Sequence, residues 1–125
     1  MLAVSRPVTE RPLKSALIVD DHPLFCDALS ITLSALVGIP EIRTAGRLET
    51  ALALIAHGRP DVVVLDLDLP DVSGLEGLLR LKALLPGVPV VLVSSMAEPR
   101  VIRAALQAGA DGYIPKNSPR DRFRE

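Results

Sequence analysis

Short apolar runs that stop abruptly at acid or hydroxyl side chains alternate along this chain with longer stretches in which leucine recurs every three or four residues. The first run, Ala16-Leu17-Ile18-Val19, ends in Asp20-Asp21 and reads as a strand buried on both faces. Pro23 then stands where a helix can begin without needing its missing N–H. Phe25, Leu29, Leu33 and Leu36 follow at helical spacing, and Gly38 ends the helix. Glu41 to Ala45 is a weaker second strand, and Leu48, Leu52 and Ile55 mark a second helix closed by Gly58 and Pro60. Val62-Val63-Val64-Leu65 is the clearest strand: β-branched, continuous and ended by Asp66. After the loop Asp68-Leu69-Pro70-Asp71-Val72-Ser73-Gly74, a third helix carries Leu75, Leu78, Leu79 and Leu85 and stops at Pro86-Gly87. Val88 to Val93 is a fourth strand, ending in Ser94-Ser95. A fourth helix with Val101, Ala105 and Leu106 closes at Gly109, and Gly112 to Pro115 is a fifth strand ending in Lys116.

Strand followed by helix, repeated without interruption, implies a parallel sheet with helices on both faces. Five units are too few for an eight-stranded barrel. The expected architecture is therefore an open α/β sheet of five parallel strands, for which the order 2-1-3-4-5 is taken. A fifth helix should follow Lys116, but the nine residues left are mostly charged, so that helix is expected to be cut short. Residues 1–14 are expected to form a disordered leader, and residues 15–125 a single domain.

Composition changes this picture in two respects. Apolar residues make up 49% of the chain, but its only aromatics are Phe25, Tyr113 and Phe123, so the core must be aliphatic. The net charge of −1 hides a division: residues 1–15 and residues 116–125 each carry +2, leaving −5 on residues 16–115. An acidic body argues against direct nucleic-acid binding by this domain and suits a cation site. No apolar run approaches the length of a membrane span or a secretory signal. Cys26, the single cysteine, cannot form an internal disulfide and reads as a small core residue.

In open parallel sheets, ligands sit beyond the carboxyl ends of the strands. Those ends carry Asp20 and Asp21 on strand one, Asp66 on strand three, Ser94 and Ser95 on strand four, and Lys116 on strand five. With strands one and three adjacent, three carboxylates crowd together and cannot all stay ionised without a cation. Mg²⁺ suits such a site, since it takes one or two carboxylates, a backbone carbonyl, waters and phosphate oxygens. A carboxylate nucleophile, a metal, a lysine and a hydroxyl are the parts needed to receive a phosphoryl group. Asp66 is the expected acceptor.

These residues together resemble the receiver domain of two-component response regulators over about residues 15–118. The resemblance rests on Asp20-Asp21, the run from Asp66 to Gly74, Ser94-Ser95, and Gly109-Ala110-Asp111-Gly112-Tyr113-Ile114-Pro115-Lys116. Val19-Asp20-Asp21-His22-Pro23-Leu24 is similar to the NarL/LuxR-type subfamily, in which a helix-turn-helix DNA-binding domain usually follows. The resemblance implies that Asp66 takes phosphate from a sensor histidine kinase or a small phosphodonor. Asp21 would ligate Mg²⁺ directly, Asp20 largely through water, and Asp68 through its backbone carbonyl, its side chain not being required. Lys116 would bind a phosphoryl oxygen, Ser94 would turn inward to the phosphoryl group, and Tyr113 would swing from exposed to buried. The surface of helix four, strand five and helix five would then change, and could form a homodimer. A cytoplasmic location is implied by the resemblance alone. Such a protein is a switch rather than an enzyme, with at most slow loss of its own phosphoryl group.

Plainer readings attach to several residues. Asp20-Asp21 alone would pass for a solvated pair or a helix cap, and Asp71 for a turn residue. His22 reads as a loop residue entering the first helix, and Gly74 as a turn or helix-start glycine. A stand-alone receiver without an output domain is one alternative function. A haloacid-dehalogenase-type phosphatase is another, since Asp66-x-Asp68 follows an apolar strand. In that family, however, the Asp-x-Asp strand normally opens the chain and the paired acids come late. No Gly-x-Gly-x-x-Gly follows the first strand, which removes a dinucleotide-binding fold.

Overall fold

In the computed structural model, residues 13–95 and 98–116 are described. Five parallel strands, β1 (Ser15–Val19), β2 (Glu41–Ala45), β3 (Val62–Asp66), β4 (Val90–Ser94) and β5 (Gly112–Pro115), form one sheet in the order β2-β1-β3-β4-β5. Four α-helices alternate with them: α1 (Pro23–Thr32), α2 (Leu48–His57), α3 (Gly74–Leu84) and α4 (Pro99–Gln107). The expected order and element sequence are those observed. The leader expected over residues 1–14 lies outside the described residues as far as residue 12, and so does any helix after Lys116. Lys14 is tied to the fold, its N–H donating to the Asp61 carboxylate at 2.8 Å.

Strand alternation sorts the aliphatic core onto two faces. Leu17, Val19, Val63, Leu65, Val90 and Leu92 pack with Leu48 and Ala51 of α2, Leu78 and Leu81 of α3 and Ala105 of α4. Ile18, Val64 and Val93 face the other way, against Cys26 of α1 with Phe25 and Leu29 around it. Fully burying each Val or Leu side chain stabilises the fold by roughly 1.5–3 kcal/mol. A slip of one residue would exchange the two faces of a strand, so the register is firmly set.

That register aligns the strand ends. Val19 pairs with Leu65, so Asp20 and Asp66 are the next residues on neighbouring strands. Ser94 pairs with Pro115, so Lys116 is the next residue beyond the end of β4.

The first helix differs from expectation in its last turn. Leu33–Val37 forms a π-helical turn, closed by the N–H of Gly38 on the carbonyl of Leu33. The wider turn slows the rotation of the helix and carries Leu36 off the core face, leaving it 82% exposed. Ile39, beyond Gly38, packs in its stead with Ala16 and Val62. Gly38 reverses the chain at φ +80°, in the left-handed region that suits glycine.

Candidate functional site

Asp66 closes β3 and is fully buried, and Asp20, one residue past β1, is 3% exposed. Neither acid has a solvent shell to support its charge, so the ionised forms depend on neighbouring groups. Lys116 supplies one: its Nζ lies 2.8 Å from Oδ2 of Asp20 and 3.3 Å from Oδ2 of Asp66. The ammonium also stands 4.9 Å from the centroid of the Phe25 ring, a cation–π contact. On the other oxygen of Asp66, Oδ1 accepts the N–H of Asp68 at 3.1 Å.

Burial holds the Asp66 carboxyl above the ordinary carboxylate range. The Asp68 N–H works against this, the charge of Asp20 reinforces it, and Lys116 offsets only part of the rise. Burial also disfavours the Lys116 ammonium, but the contact with Asp20 and the charge of Asp66 outweigh it, leaving Lys116 above the usual lysine value. The centre thus lacks positive charge on the aspartate side even with the lysine in place.

Asp21 is exposed at the rim and His22 follows it as the N-cap residue of α1, with extended backbone and no side-chain cap. The loop reading of His22 fits its backbone. Its imidazole, however, turns into the acidic cluster, with Nδ1 at 3.1 Å from Asp20 Oδ1, 3.3 Å from Asp21 Oδ1 and 4.0 Å from Asp66 Oδ2. One donor atom from each of Asp20, Asp21, His22 and Asp66 falls within 4.8 Å of the others. Hard oxygen donors at this spacing around a buried acid with raised proton affinity fit a Mg²⁺-sized ion.

Ser94, at the end of β4, is buried, and its Oγ donates to Oδ2 of Asp68 at 3.1 Å. The Asp68 side chain therefore has a structural partner, which its place in the loop did not reveal. The Ser94 carbonyl accepts both the Lys116 N–H at 3.0 Å and the Tyr113 hydroxyl at 3.3 Å. Tyr113 is half-buried, and burial pushes its phenol up, helped by the Asp68 charge. Asp68 and Ser94 line a cleft of about 280 Å³ with Leu67, Ser73, Gly74, Leu75 and Val101.

Two supporting roles went unseen in the sequence. Asp71 bonds the N–H groups of Leu48 and Glu49 at 3.0 and 3.1 Å, capping α2, whose own N-cap Arg47 makes no side-chain cap. Asp111 accepts from Val90 N and Lys82 Nζ at 2.8 and 2.9 Å, tying the start of β4 to α3. Gly74 opens α3 so close to Leu67 that an added Cβ would lie 2.9 Å from the Leu67 carbonyl oxygen. Asp71 and Asp111 bond to residues far away in sequence, which local pattern does not report, whereas Gly74 starts a helix as its place in the sequence suggested. The signal for His22 was its adjacency to Asp21.

Residues 16–125 match the family model described as response regulator receiver domain. The chain is 38% identical over 112 residues to a glycerol metabolism activator of Pseudomonas putida, covering 87% of this chain and 50% of that protein. It is 42% identical over 101 residues to the transcriptional activator protein ExaE of the same organism, covering 80% of this chain and 47% of that one. It thus spans about half the length of these curated relatives. Among solved structures, a CheY-like response regulator receiver domain protein from Methanospirillum hungatei JF-1 superposes with a TM-score of 0.75 at 34% identity, covering 90% of this chain and 89% of that one.

Proposed function

The chain belongs to the response regulator receiver domain family, and from that membership we propose that Asp66 is its phosphoacceptor, charged by a sensor histidine kinase with Mg²⁺ at the neighbouring acids. The observation that carries this reading is the convergence of buried Asp66 and Asp20 on one lysine, with Nζ at 2.8 and 3.3 Å from the two carboxylates. Family membership over residues 16–125 leaves no room for the haloacid-dehalogenase alternative.

In the proposed step, a carboxylate oxygen of Asp66 attacks phosphorus and the P–N bond of the donor phosphohistidine breaks. The leaving imidazole takes up a proton. Mg²⁺, when bound, supplies Lewis-acid neutralisation of the phosphoryl oxygens. Asp20 and Asp21 would hold it, together with Asp66 and the Asp68 carbonyl. Lys116 pairs with a phosphoryl oxygen as the Asp66 charge is consumed. Ser94 exchanges its bond to Asp68 for one to the phosphoryl group, and Tyr113, which starts half-buried with its hydroxyl on the Ser94 carbonyl rather than exposed, follows by moving further inward. The α4–β5 surface then presents a different face. Exposed Val101 and Leu106 on α4, with Ile114 on β5, suit that face to a homodimer contact.

The Asp20-Asp21-His22-Pro23 run favours the NarL/LuxR-type subfamily, and the relative named a transcriptional activator supports an output domain that contacts DNA. This domain would not itself bind nucleic acid. A location in the cytoplasm fits the role, and no described helix is long and apolar enough to cross a membrane. Turnover is limited to slow loss of the phosphoryl group.

Intact-mass measurement after incubation with Mg²⁺ and acetyl phosphate tests the reading. A labile adduct of one phosphoryl group is expected in the wild type and not in Asp66→Asn. Absence of any adduct, or an adduct that survives the substitution, would overturn it.

A further inference from the structure

His22 Nδ1 stands among the acidic oxygens, 3.1 Å from Asp20 Oδ1 and 3.3 Å from Asp21 Oδ1, with Lys116 Nζ 2.8 Å away. Carboxylates and an imidazole nitrogen converging in this way make a place for a cation. The lysine ammonium fills that role in part, since it also reaches Asp20 Oδ2 and Asp66 Oδ2.

The spacing is also that of a coordination shell. Metal–ligand bonds of about 2.0–2.1 Å give octahedral edges of about 2.9 Å and diagonals of about 4.2 Å. The distances of His22 Nδ1 to Asp20, Asp21 and Asp66 are 3.1, 3.3 and 4.0 Å, two near an edge and one near a diagonal. The His22 side chain is 57% exposed, so it can settle onto an ion without disturbing the core.

We propose that His22 Nδ1 is a nitrogen ligand of the cation site, which therefore favours nitrogen-accepting divalent ions such as Mn²⁺, Co²⁺, Ni²⁺ and Zn²⁺ over Mg²⁺ more than its carboxylates alone would. This rests on the reading of the acidic cluster as a cation site. Mg²⁺ holds mostly to oxygen, whereas imidazole suits the transition ions. Removing the imidazole should therefore cost the two kinds of ion unequally. Lys116 withdraws from Nδ1 when the ion enters and remains beside Asp66.

Two measurements on the tag-free chain test this. In pulsed electron paramagnetic resonance of the Mn²⁺ adduct, imidazole ¹⁴N modulation is expected in the wild type and in His57→Ala, which alters the only other histidine. It should vanish in His22→Ala. By calorimetry, His22→Ala should lower Ni²⁺ affinity by about tenfold or more while Mg²⁺ affinity stays within about twofold. His22→Asn, which keeps a good N-cap residue, should behave as the alanine variant does. Bound Mn²⁺ without nitrogen modulation, or equal losses for Ni²⁺ and Mg²⁺, would overturn the assignment of His22 and leave the cation site standing. Failure of the wild type to bind any of these ions would remove both.

Discussion

Asp66 is held in a position that suits its chemistry and strains the ionised group at rest. Its native proton affinity is raised, chiefly by burial, above that of the unfolded chain. An acid shifted in this direction costs nothing below its unfolded pKa, where both states are protonated. Its cost grows as pH rises through the native value and is fully present above it. Asp66→Asn should therefore raise the thermal midpoint of the metal-free protein near neutral pH. Acidification should erase the gain as native Asp66 takes up its proton, and saturating Mg²⁺ should reverse the order, since the wild type alone keeps the full ligand set. Differential scanning fluorimetry across pH, with chelator and then with Mg²⁺, checks all three signs. A wild type more stable than the variant in chelator at neutral pH would show that Lys116 offsets the burial of Asp66 fully.

At the scale of elements, the loop after β3 does more than connect. Asp71 reaches the first turn of α2, where two N–H groups lie on its carboxylate, and the bond from Leu48 N leads the causes that hold its carboxyl below the ordinary value. A depressed acid contributes stability above its unfolded pKa and loses it as pH falls through the native value. Asp71→Ala should thus be less stable than the wild type at neutral pH, and the two denaturation midpoints should converge in acid. Parallel curves across pH would mean the carboxylate charge is not involved. Gly74 marks the other end of the loop. Alanine there meets the Leu67 carbonyl and the Leu67 side chain, with Cδ2 as near as 2.6 Å, so α3 must shift away from the segment beside Asp66. Overpacking of this kind costs about 1–3 kcal/mol, readable as a fall in the urea midpoint of Gly74→Ala. Phosphoryl uptake by that variant should also slow, because the Asp68 backbone moves with the loop. The π turn at Leu33–Val37 belongs to this scale too, since it decides which side chains at the end of the first helix face the sheet.

For the whole molecule, the site exists only because two parallel pairings end flush: Val19 beside Leu65, and Ser94 beside Pro115. A cation bridging β1 and β3 should therefore stabilise the domain globally. An ion present at a hundred times its dissociation constant adds about 2.7 kcal/mol. The Mg²⁺-dependent rise in the unfolding midpoint should be large in the wild type, nearly lost in Asp21→Ala and largely retained in Asp68→Ala. Asp68 is expected to offer the metal its backbone carbonyl, while its carboxylate accepts from Ser94. Equal losses in the two variants would reassign the ligands.

The sequence by itself determined the strand–helix alternation and the residues at strand ends. Each is a local property: a run of Val62 to Leu65 stopped by Asp66 carries its burial, its length and its terminus in neighbouring letters. Parallel topology then needs only the rule that such units wind in one hand. The tertiary structure alone decided what those ends touch. Lys116 and His22 meet across 94 residues, and Asp71 caps a helix that begins 23 residues before it. Leu36 kept its helical spacing and still lost its place in the core, because one widened turn rotated it outward. Contacts between distant residues depend on register, turn width and loop path together, and no window of sequence contains all three.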